Sequence, residues 1–182
     1  MRKFLMILAC LLVPALAGGV FFLRQQDSQN AVEVQENIES FTRATEIARE
    51  IAAAQAADRL SWEENLSSLG KIEEMVRKLE TRQKPHFPEL RKITLKGLKA
   101  AQEAIRIRQG SLQLQLDIER GALSADSAAT RIRRTRLIES AKTQDTELQL
   151  VGWELCAYLN RPEKSLPGSW PGLKTFHRGC GR

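Results

Sequence analysis

The side chains of this chain that could do chemistry are three cysteines, two histidines and 22 carboxylates. His177 and Cys180 stand at i and i+3, a spacing that suits two ligands of one zinc ion. A structural zinc site takes four ligands, and the sequence indicates neither a third nor a fourth. His86 stands apart, beside Pro85. No H-E-x-x-H, no G-x-S-x-G and no phosphate-binding glycine loop occurs. Glu63-Glu64 and Glu73-Glu74 are carboxylate pairs, but acid–base hydrolysis needs two carboxylates facing one cleft. Neighbours on a charged helix read as solvated surface. No catalytic residue, cofactor site or metal site is assigned, and the chain is not expected to be an enzyme.

Cys156 and Cys180 offer a different chemistry. If the chain reaches an oxidising compartment they are the obvious disulfide pair. Closing a loop of about 25 residues would stabilise the fold by ~3–4 kcal/mol in the loop-entropy account. Cys10 reads as a small apolar residue, although Ile7-Leu8-Ala9-Cys10 also fits a lipoprotein box with a short stretch before it.

The strongest charge feature is Arg131-Ile132-Arg133-Arg134-Thr135-Arg136. Such a cluster can meet anionic lipid, an acidic partner helix or a polyanion; its plain alternative is a solvated helix face. With no aromatic residue interleaved it makes a poor platform for stacking bases, so nucleic acid is not the expected partner. Arg131, Arg133, Arg134 and Arg136, with Trp170 and Phe176 of the tail, are the expected contact residues. The net charge of +6, 28 basic against 22 acidic residues, is spread among both signs and does not by itself select a partner.

These residues need elements to carry them. Residues 4–23 hold no charge and follow Arg2 and Lys3, which reads as a transmembrane signal-anchor with its start in the cytoplasm. Ala15-Leu16-Ala17 fits a signal-peptidase site, so cleavage after Ala17 and secretion to the periplasm is the alternative. Either reading sends the rest across a bacterial inner membrane. Residues 24–30 read as a linker, 31–160 as a helical bundle and 161–182, rich in proline and glycine, as an irregular tail.

Within the bundle, residues 31–59 lack proline and glycine, and Val34, Ile38, Phe41, Ala48, Ala52 and Ala56 lie near one helical stripe. Ser61-x-x-Glu64 is a capping box that opens a helix over 62–83, with a seam at Trp62, Leu66, Leu69, Ile72, Val76 and Leu79. Pro85 stops that helix, and Pro88 suits the first turn of the next, over 89–120. Leu112, Leu114 and Leu116 alternate with glutamines as in a strand, but the flanking 3.6-residue period favours helix. Gly121 reads as a helix stop and Ser124 as the cap of a fourth helix reaching Leu159.

The expected fold is all-α: a transmembrane helix, an antiparallel bundle of about four helices with coiled-coil seams, and a disulfide-stapled tail. Helices of about 22, 32 and 36 residues differ in length by some 20 Å, so the long pair must protrude or meet another chain. That mismatch, with the lack of catalytic motifs, predicts a membrane-anchored periplasmic adaptor or structural subunit of a cell-envelope complex. Its expected partners are other envelope membrane proteins, with the lipid bilayer through residues 4–23 and oligomerisation open. A periplasmic ligand-binding or sensory module is the alternative function.

Overall fold

The computed structural model describes the backbone of residues 2–82 and 85–160 and the side chains of residues 28–82 and 85–160. The described chain is all-helical: α1 Arg2–Ala56, α2 Trp62–Thr81, α3 Pro88–Glu119 and α4 Ala128–Leu159. Residues 110–118 are helical.

The ends of the helices follow from local chemistry. Asp58 adopts a left-handed conformation (φ 56°) just past α1. Its N–H donates to Gln55 O and that of Arg59 to Ala54 O, so two orphan carbonyls of the last turn are satisfied. The capping box forms as its residues dictate. Ser61 Oγ accepts from Glu64 N, and Glu64 Oε2 accepts from Ser61 N, both at 3.1 Å. Gly121 (φ 71°) closes α3 in the same manner as Asp58 closes α1. The cap of α4 is Ser127 rather than Ser124, because Ser124 is used in a turn that accepts from Ser127 N.

α3 is the central element and packs against α1, α2 and α4. Ion pairs Lys99–Glu80 and Arg106–Glu73 mark α2 as antiparallel to it, and Lys96–Glu154 and Arg108–Asp145 do the same for α4. The core has two parts. One joins Ala44, Ala48 and Ile51 of α1 to Leu69, Ile72 and Leu79 of α2 and to Leu98, Ala101 and Ile105 of α3. The other joins Val34, Ile38 and Phe41 of α1 to Leu90 and Ile93 of α3 and to Val151, Leu155 and Tyr158 of α4.

The start of α3 is held from a distance. Its N-cap, Phe87, has no side chain able to cap, and Glu33 of α1 supplies the missing acceptor. Glu33, 1% exposed, accepts from His86 N at 3.0 Å and from Phe87 N at 3.1 Å. A carboxylate there satisfies orphan donors and faces the positive end of the helix dipole. Beside it, Glu36 pairs with Arg82 and Lys78, closing α2 onto α1.

One expectation is corrected. Among the described residues no helix is long and apolar enough to cross a membrane. That finding stands against the inner-membrane, single-pass placement of the bundle in the periplasm, while the side chains of residues 4–23 lie outside those described. In the backbone the run belongs to α1, one helix of 55 residues that continues through residues 24–30 into the charged, bundle-packing part, so no irregular linker separates the two. Cys156, half-buried near the end of α4, is disulfide-bonded, and its partner is not among the described residues. Cys180, Trp170, Phe176 and His177 all lie outside the described residues.

Candidate interaction surface

Among the described residues no group of three His, Cys, Asp or Glu side chains could hold a metal ion. His86 is exposed and serves through its backbone, and Glu73 and Glu74 are surface partners of Arg106 and Arg77. The Arg77 guanidinium is raised above its ordinary pKa by the hydrogen bond and charge of Glu74, as for any close exposed pair. None of this assembles acid–base chemistry.

What the fold does assemble is a projecting hairpin. The turn between α1 and α2 ends their cover of α3 near Ile105, whose carbonyl lies 3.5 Å from Asn65 Nδ2. Beyond it α3 runs on to Glu119, roughly 20 Å further at 1.5 Å per residue, with α4 as its companion helix. The two stay together because Arg108 is buried and donates twice to Asp145, at 2.9 Å each, and to Ala104 O at 3.1 Å. Gly110 lets α4 approach closely, since a Cβ there would sit 3.3 Å from Leu137 Cδ2. Leu114 and Thr130 continue the buried seam toward the tip.

Around α4 beside this seam, Arg131, Ile132, Arg133, Arg134, Thr135 and Arg136 are all exposed. None of the four arginines has an ion pair with a described residue. In the base, Arg82, Lys96, Lys99, Arg106 and Arg108 have carboxylate partners, while the exposed Arg43, Arg49, Lys71 and Lys92 have none among the described residues. Apolar side chains stand among the free arginines, with Ile132 53% and Ile138 50% exposed. At i, i+3 and i+7, Arg131, Arg134 and Ile138 share one edge of α4.

The sequence located these arginines and their helix. It missed two other features of α4, the half-exposed Leu150 and Trp153, because a seam search looks for one face and this helix is apolar on two. Glu33 was also missed; its only signal is that Phe87 precedes Pro88 with no capping side chain of its own.

A second surface feature is the groove between α1 and α2, about 670 Å³, where the two helices diverge beyond the Glu36 contacts. Met75 and Leu79 lie along it, with Arg43, Lys71 and Glu74 at its sides. In comparisons with known proteins the chain matches no family model, no curated protein and no solved structure.

Proposed function

We propose that this chain is a helical adaptor that works through protein–protein contacts, docking the basic edge of its α3–α4 hairpin on an acidic surface of a partner protein. The observation that carries the reading is the set of four exposed arginines without an ion pair to a described residue, interspersed with exposed isoleucines. Like charges at i,i+3 repel along a helix, so Arg131–Arg134 and Arg133–Arg136 are a cost to the isolated chain. An acidic partner removes that cost, and exposed Ile132 and Ile138 favour a protein over a polyanion that offers only charge.

The test is a photo-crosslinking residue placed at Ile138 in cells. The expected product is one discrete adduct with a second protein, lost when Arg131 and Arg134 are changed to Glu. A smear unaffected by those changes, or no adduct, overturns the reading.

The α1–α2 groove favours a second reading, a small-ligand module, since its volume lies in the range of ligand sites. Its mixed charges and open side weigh against tight enclosure of a small molecule. Thermal stabilisation of the wild-type chain by a metabolite mixture, abolished by Gly70→Trp in the groove, would support this reading over the first.

A further inference from the structure

α4 has a second apolar stripe, opposite the one it buries. Leu148, Val151 and Leu155 face the core. Ile132, Arg136, Glu139, Thr143, Thr146, Leu150 and Trp153 follow one another at spacings of four and three, and all are exposed. That is the seam spacing of a helix that packs along another helix. Its apolar members are concentrated at the ends, with Ile132 53% exposed near the N-terminus and Leu150 51% and Trp153 64% toward the C-terminus. The middle is small and polar, at Thr143 and Thr146.

Charge divides along the same helix. Arg131, Arg133, Arg134 and Arg136 fill the first turns, with no acidic residue from Ala128 to Ile138. From Glu139 onward the only basic residue of α4 is Lys142; of the four acidic ones, Asp145 and Glu154 pair with Arg108 and Lys96 of α3, which leaves Glu139 and Glu147 for an outside contact. A helix that is basic in one half and acidic in the other complements a copy of itself running the opposite way.

We infer that the outward face of α4 pairs antiparallel with α4 of a second copy, about a two-fold axis crossing near residue 141. This register sets Ile132 against Leu150 of the partner copy, and the symmetry makes the same contact twice. Trp153 then covers the first turn of the opposite helix, where Ala129 leaves room. Arg136 and Glu147 lie about three turns apart on one flank of the stripe. Neither has an ion pair with a described residue. In the pair each faces the other across the axis. The two Lys142 side chains approach on the opposite flank and oppose the pairing, which gives the register a built-in check.

The inference deepens the adaptor reading by naming a second copy as one partner, on a different edge from Arg131, Arg134 and Ile138. The experiment is sedimentation velocity of the full chain over a concentration series, with circular dichroism confirming equal helicity of each variant. Arg136→Glu and Glu147→Arg are each expected to weaken the dimer at least about tenfold. The double exchange should restore it to within about threefold, since the reciprocal pairs re-form with inverted sign. Lys142→Gln should tighten it.

A monomer at all concentrations up to about 100 µM overturns the inference. So does a dimer indifferent to both single changes, or one weakened by both and not rescued by the exchange. None of these outcomes touches the crosslink at Ile138, so loss of the self-pairing and loss of the adaptor reading are read separately.

Discussion

Around Phe41 three helices meet, and around Arg134 only two do. At the first place the Phe41 ring fills the space that a side chain on Gly97 of α3 would need. A Cβ there would lie 2.4 Å from Phe41 Cε2 and 3.1 Å from Val151 Cγ1 of α4. Gly152 of α4 lies beyond the same ring, its own added Cβ at 3.8 Å. At the second place α4 has one buried side, and its other faces carry arginines without ion pairs. The base is specified by shape and tolerates little change. The tip carries charge that no described residue neutralises. On the proposed reading, stability and interaction are separated along one pair of helices.

The largest effect should come from emptying the junction. Phe41→Ala removes a buried ring from contact with three helices, and the surrounding backbones cannot collapse fully into the space. A loss of about 3–5 kcal/mol is expected in urea unfolding. A loss under about 1 kcal/mol would mean that the three helices do not depend on one another there, and the contrast with the tip would fall.

The junction also bears on what could be read from the sequence. Gly97 first reads as a weak point in a helix, since glycine lowers helix propensity. In the fold it is a requirement of packing, and nothing in a single chain's composition reveals the ring that lies upon it. The stripe of α1 was legible in kind but displaced by a residue in places. Asn37, Ala44 and Ile51 are buried, while Ala52 is half-buried and Ala56 exposed. The seam runs 34, 37, 41, 44, 48, 51, and Asn37 conceals it because a buried amide reads as surface. In α2 the same concealment occurs, with Asn65 buried and Leu66 exposed. The capping box and the Gly121 stop were fully legible, since their chemistry is local.

The candidate surface was partly legible for a related reason. A run of arginines announces itself, but whether each has a partner depends on residues far away in sequence, as Arg108 shows by reaching Asp145. The apolar outward face of α4 was hidden because its residues merge with those of the buried face into an apparently irregular pattern. In the N-terminal run the helical character was legible, but not that the helix extends without a break through residues 24–30 into the bundle.

The second test of the contrast adds atoms instead of removing them. Gly97→Ala improves helix propensity and would stabilise an open position. Here the new methyl meets Phe41 with Val151 behind it, so overpacking should dominate and cost about 1–3 kcal/mol. Gly152→Ala is the control, because its methyl would stand at ordinary contact distance from the same ring. Equal effects of the two changes would show that the ring moves aside, and that the base is softer than its geometry implies.

The smallest effect belongs to the tip and is the most direct check of its openness. Arg134→Ala removes a guanidinium that has no ion pair with a described residue and repels Arg131 one turn away. Deleting such a charge from an exposed helix should not destabilise the chain; it should raise stability by about 0.2–0.5 kcal/mol at low salt. The gain should fade as salt shortens the screening length to about 3 Å near 1 M. A loss above about 1 kcal/mol would mean that the folded chain holds Arg134 by contacts of its own. The arginine face would then belong to the architecture, as Arg108 does, and the division between a base fixed by shape and a tip kept open by charge would disappear.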